Sequence, residues 1–86
     1  LTYVLARELG SRNIRVNAIA PGGVDTEGTR RVGVVGSEQQ DQMVARTPLG
    51  RFGRPEDIAD VAVFLASDDA AWLTGERISV SGGFRP

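Results

Sequence analysis

The chain has 86 residues, 41% of them hydrophobic and 24% charged, with a formal net charge of −1; that length supports one small domain at most. It contains no Cys, no His and no Lys, all ten basic residues being Arg, which excludes disulfides, thiolate and imidazole metal sites, His acid–base chemistry, Cys nucleophiles, Schiff bases and a phosphate-loop lysine within it. Acidic and basic residues are interspersed and no apolar run approaches the roughly 20 residues of a membrane helix, so neither a nucleic-acid nor a membrane surface is expected.

Residues 1–9 (LTYVLAREL) place Leu1, Leu5 and Leu9 four apart with Val4 beside them, the stripe of a helix. Gly10 stands where a left-handed cap would end it. The chain opens on what reads as helix interior, without an initiator Met, so an incomplete domain is expected. Ile14 to Ala20 (IRVNAIA) is short, apolar and bounded by Asn13 and Pro21, the signature of a buried strand. Pro21-Gly22-Gly23 is expected to stop it abruptly.

From Val24 to Gly36 the Gly- and Thr-rich sequence has no clean period and predicts a loop, with room for one short helical turn. Ser37-Glu38-Gln39-Gln40 matches a capping box and predicts a helix from Glu38 to Arg46. Thr47 to Arg54 (TPLGRFGR) is a loop. Pro55-Glu56-Asp57 opens a helix well, with Pro in the first turn and acids at the positive end of the dipole. Ile58, Val61, Ala62 and Leu65 follow at helical spacing, and Ser67-Asp68-Asp69 ends the run. Thr74-Gly75 is a turn, Arg77 to Ser81 alternates as a strand, and Gly82-Gly83 closes it.

Strand, crossover helix, strand is the βαβ unit of a parallel sheet. Both strands are apolar enough to need cover on two faces, more cover than these helices supply. The fold class expected is therefore α/β, a portion of a larger doubly wound parallel sheet.

Three segments, IRVNAIAPGGVDT, TPLGRFGRPEDIADVAVFLASDDAAWLTGE and SVSGG, resemble in order and spacing the C-terminal third of the short-chain dehydrogenase/reductase family. The resemblance implies a Rossmann-like domain that binds NAD or NADP. It also implies hydride transfer between nicotinamide and a ketone or secondary alcohol, of the 3-oxoacyl thioester reductase or the sugar/alcohol dehydrogenase type. A small carbonyl or alcohol substrate, a homo-oligomer (dimer or tetramer) and a cytoplasmic location go with it. The family's glycine-rich phosphate turn, its Ser and its Tyr-x-x-x-Lys pair have no match here, so no catalytic residue is expected in the chain and none is assigned to a metal. Tyr3 and Arg7 spell Tyr-x-x-x-Arg, but Tyr3 is too close to Pro21, and Arg is not the compact ammonium of the family's Lys. Tyr3 is read as packing on an interface helix.

Pro21, Gly22, Gly23, Val24 and Thr26 are the candidate cofactor residues. They follow the C-terminal end of a parallel strand, where ligands bind in open α/β sheets. By the resemblance, the Val24 backbone reads the nicotinamide carboxamide, and the Thr26 hydroxyl bonds the carboxamide or a phosphate oxygen. The two glycines are expected to let the ring approach the backbone without a Cβ in the way. The alternative is a plain strand-to-loop turn with Thr26 as a helix N-cap.

Residues 27–46 match the family's substrate lid. Arg30 and Arg31 are read either as anion contacts or, more simply, as a solvated charge pair, and Met43 as either a substrate contact or packing. Gly50 to Asp57 is read as architecture and Asn17 as a clamp on neighbouring backbone. Ser81 stands where the family usually has Asp. A non-catalytic α/β oligomerisation or binding module is the alternative function.

Overall fold

A computed structural model describes residues 1–85. In chain order they form α1 (Thr2–Leu9), a 3₁₀ turn (Gly10–Arg12), β1 (Ala18–Pro21), α2 (Glu27–Arg31), α3 (Glu38–Ala45), α4 (Pro55–Ala66), a second 3₁₀ turn (Asp68–Ala70) and β2 (Arg77–Val80). β1 and β2 pair in parallel, with Ala18 opposite Arg77 and Pro21 opposite Val80. α4 packs on both strands. The chain is α/β, and its centre is the expected βαβ unit.

Local chemistry explains most boundaries. α4 has Pro55 in its first turn, and Asp57 turns back so that its carboxylate accepts the Arg54 N–H at 2.7 Å. Ile58, Val61 and Leu65 are half-buried along its inner face. Its last turn has no basic residue of its own. Arg15 fills that role by donating to the carbonyls of Leu65 (2.8 Å) and Ser67 (3.2 Å). α3 begins at Ser37, whose hydroxyl accepts the Gln40 N–H at 3.2 Å. The reciprocal half of that box is displaced by one residue: the Gln40 side chain accepts from Gly36, not from Ser37.

Two local expectations are corrected. Gly10 is right-handed helical (φ −60°, ψ −38°) and leads into a 3₁₀ turn. The left-handed residue is Asn13 (φ 58°), and Asn tolerates that region better than other non-glycine residues. β1 starts at Ala18 rather than Ile14, because its neighbour over residues 14–17 is a turn and not a strand. There, side chains supplement a single backbone bond, from the Gly75 N–H to the Val16 carbonyl at 2.7 Å. Thr74 Oγ1 accepts the Val16 N–H at 3.0 Å, and Asn17 donates to the Leu73 carbonyl (3.0 Å) and accepts the Glu76 N–H (3.2 Å). β1 does stop where expected, with Pro21 as its last residue. Pro21 presents only a carbonyl, and the last ladder bond runs from the Gly22 N–H to the Val80 carbonyl at 3.1 Å.

Full burial is confined to Ala6, Ala70 and Thr47 among the described residues. Val63, Leu49 and Trp72 are 70%, 71% and 99% exposed, so the apolar faces are only partly covered. The shape is elongated, 48 × 22 × 22 Å with a radius of gyration of 15.4 Å, against about 12 Å for a compact domain of this length. No described helix is long and apolar enough to cross a membrane.

Candidate functional site

The candidate residues run from the C-terminal end of β1 into the N-cap of α2. Between those points Val24 pairs with Gly53 as a lone parallel bridge. Gly53 N–H donates to the Gly23 carbonyl at 2.8 Å, and Asp25 N–H donates to the Gly53 carbonyl at 2.9 Å. In a parallel bridge those flanking groups do the bonding, so the N–H and C=O of Val24 itself face away from Gly53. The Val24 carbonyl accepts the Thr29 hydroxyl at 2.9 Å and keeps a second lone pair. Its N–H meets no acceptor among the described residues. One unpaired donor beside one acceptor with capacity to spare complements a primary carboxamide.

Gly53 is held in place by its own loop. Arg51 donates to the Phe52 carbonyl and to Asp57, both at 2.9 Å, while Asp57 also accepts the Arg54 N–H. The Arg51 guanidinium and that backbone N–H hold the Asp57 carboxyl below the usual carboxylate range. The segment from Gly50 to Asp57 is thus architectural, and what it supports is the bridge to Val24.

Thr26 is the N-cap of α2. Its hydroxyl accepts the Thr29 N–H at 3.1 Å, and Thr29 Oγ1 accepts the Thr26 N–H at 2.8 Å. The cap described above as the alternative is therefore present. It leaves the Thr26 O–H proton uncommitted except toward Thr29 Oγ1, 3.2 Å away. Thr29 escaped the sequence reading. Its signal is a capping box in which Thr stands at the position usually held by Glu or Gln.

The chain itself gives the two glycines a reason to lack side chains. A Cβ on Gly22 would lie 2.9 Å from the Ser81 Cα, and one on Gly23 would lie 2.4 Å from the Phe52 ring. Neither glycine has a positive φ. Close packing within the chain itself excludes side chains at both positions, whether or not a ring lies against them.

The five residues do not converge on one cavity. Gly23 borders a hollow of about 190 Å³ with Arg51, Gly53, Asp57, Ser81 and Gly82. Pro21 and Gly22 border a separate groove with Met43, Phe84 and Arg85, and Val24 and Thr26 border neither.

The remaining candidates fall into structural roles. Arg30 clamps both oxygens of Asp25 at 2.6 and 2.9 Å, which lowers the Asp25 carboxyl and raises the guanidinium. Arg31 pairs with Glu27 at 2.9 Å one turn away. The two arginines are thus exposed charges, each paired with a nearby carboxylate. The Tyr3 ring packs over Gly75 with the Arg7 guanidinium 5.9 Å from its centre. Ser81 donates to the Phe84 carbonyl at 3.2 Å.

Comparison with known proteins places this geometry. A family model described as enoyl-(acyl carrier protein) reductase matches residues 1–85. An uncharacterized oxidoreductase of Methylorubrum extorquens is 61% identical over 85 residues, covering 99% of this chain and 34% of that protein. A hydroxysteroid dehydrogenase from Escherichia coli superposes with a TM-score of 0.92 at 42% identity, over 100% of this chain and 35% of its own. A 3-oxoacyl-[acyl-carrier protein] reductase from Brucella melitensis with bound NAD gives 0.85 at 40% identity, over 96% of this chain and 28% of its own. The chain thus spans about a third of the length of the proteins it matches.

Proposed function

Because this chain belongs to the short-chain dehydrogenase/reductase family, we propose that the protein carrying it is an NAD(P)-dependent oxidoreductase acting on a ketone or secondary alcohol. The 3-oxoacyl thioester reductase and the sugar/alcohol dehydrogenase types both fit this reading. The 86 residues are the C-terminal part of one dinucleotide-binding domain, and the protein is a cytoplasmic homo-oligomer. When bound, NAD or NADP supplies the hydride-carrying nicotinamide. This chain contributes the cradle, formed by Pro21, Gly22, Gly23, Val24 and Thr26, and the substrate lid over residues 27–46. With no Lys and with Tyr3 as its single Tyr, it holds no acid–base pair of the family's kind, so its part is to bind and orient.

The observation that carries this reading is Val24. Its N–H is unpaired among the described residues, and its carbonyl is only partly used. Both face away from the bridge that props them. The Thr26 hydroxyl, two residues on, supplies a third polar contact for the carboxamide or a phosphate oxygen.

The test is a binding titration of the whole protein with NAD and with its 3-acetylpyridine analogue, in which a methyl ketone replaces the amide and its donor is lost. A cradle that reads the amide binds NAD roughly two- to tenfold more tightly, the value of one net hydrogen bond. Equal affinity for the two would show that the Val24 carbonyl is not read.

A further inference from the structure

We propose that Thr29 is the positioning residue of the nicotinamide turn, acting through Val24 and Thr26 without touching the cofactor. This rests on the reading of those two residues as cofactor contacts. The Thr29 hydroxyl donates to the Val24 carbonyl at 2.9 Å and lies 3.0 Å from the Thr26 carbonyl. It accepts the Thr26 N–H at 2.8 Å and lies 3.2 Å from the Thr26 hydroxyl. Its backbone N–H donates to that same hydroxyl at 3.1 Å.

A threonine hydroxyl has one proton and two lone pairs. With the proton on the Val24 carbonyl and one lone pair on the Thr26 N–H, a single side chain sets the direction of both peptide groups that flank Asp25. The carbonyl meant for the carboxamide is thereby held with one lone pair engaged and the other turned outward. The Thr26 hydroxyl, its acceptor side fixed by the Thr29 N–H, is left to offer its proton to a ligand.

Valine has nearly the shape of threonine but neither donates nor accepts. Thr29→Val leaves the Thr26 N–H unpaired and the Val24 carbonyl without its anchor. Serine keeps the hydroxyl.

The experiment uses the whole protein and its Thr29→Val, Thr29→Ser and Thr26→Ala variants. It measures dissociation constants for NAD, NADP and the 3-acetylpyridine analogue, apo melting, and steady-state constants. Thr29→Val is expected to weaken binding of the preferred cofactor roughly three- to tenfold and to narrow the preference for NAD over the analogue. Thr29→Ser is expected to restore both affinity and preference. Apo melting should fall no further than in Thr26→Ala, because both variants break the same cap of α2, a five-residue helix with no buried residue.

Wild-type affinity and preference in Thr29→Val, alongside weakened binding in Thr26→Ala, would overturn the role of Thr29 and leave the cradle reading intact. Wild-type binding in both variants, with no preference for NAD over the analogue in any protein, would instead overturn the cradle reading. A lowered apo melt with unchanged preference would reduce Thr29 to a helix cap and also overturn the proposal.

Discussion

Gly22 and Ser81 approach so closely that a Cβ on the glycine would stand 2.9 Å from both the Cα and the Cβ of the serine. The contact lies one residue beyond the last strand pair, Pro21 with Val80, where the two strands are still held at ladder distance by the bond from Gly22 to Val80. The glycine is therefore required by the sheet. Gly22→Val should destabilise the whole protein without cofactor by about 1–3 kcal/mol, read from apo denaturant melts. A wild-type apo melt with sharply weakened cofactor binding would return the requirement to the ligand.

Gly23 faces a side chain instead of backbone, its missing Cβ lying within 2.8 Å of three atoms of the Phe52 ring. A ring can be removed where a strand cannot. Gly23→Ala should destabilise, and Phe52→Ala should suppress part of that loss, giving a non-additive double mutant. Strict additivity in the thermodynamic cycle would mean the ring moves aside freely.

Thr26 carries two separable roles, and two measurements divide them. Thr26→Ala should lower apo stability by about 0.5–2 kcal/mol through the lost cap. It should further reduce the stabilisation gained on adding cofactor by about 0.5–1.5 kcal/mol. Thr26→Ser should preserve both. If Ala lowers the apo melt and leaves the holo increment unchanged, the hydroxyl only caps.

Asp57 makes the stability of this region sensitive to acid. Its folded carboxyl lies below the ordinary value of 3.8, so its contribution is complete above that value and is lost as pH falls through the folded one. Asp25, depressed by Arg30, acts in the same direction. The melting temperature of Asp57→Asn relative to wild type should be lowest at neutral pH, and the gap should close in acid. A gap independent of pH would show that the pairing with Arg51 and the Arg54 N–H does not depend on charge.

Arg15 caps carbonyls at the C-terminal end of α4 from a distance of 50 residues in sequence. Arg15→Met should cost about 1–2 kcal/mol, and Lys should recover only part, since an ammonium supplies the charge without the planar fork that reaches two carbonyls. Equal melts for Lys and Arg would assign the effect to charge alone.

Expressed by itself, the 86-residue chain should show no turnover with either cofactor and a panel of ketones, and should not melt cooperatively as a monomer. Its two-stranded sheet and the small set of buried residues, Ala6, Ala70 and Thr47, leave too much apolar surface exposed. Turnover above background, or a sharp melt from a species that sediments as a monomer, would refute this.

The order of elements was legible in the sequence because its signals are local. The Leu stripe of α1, the Pro-Glu-Asp opening of α4 and the alternation in β2 each act within a few residues of chain. Ser37 as the start of α3 was legible for the same reason. Tertiary structure alone decided what Gly22 and Gly23 pack against, which way Val24 faces, which distant side chain caps the last carbonyls of α4 and that Thr29 organises the turn. Three of these depend on partners far along the chain: Ser81 and Phe52 for the glycines, Gly53 for Val24, and Arg15 for Leu65. Thr29 is only five residues from Val24, but its hydroxyl reaches that carbonyl only once the bridge to Gly53 has turned it outward. Propensity and periodicity say that a residue is small, polar or apolar, and what it meets is set by strand register and close approach, which exist only once the chain has folded.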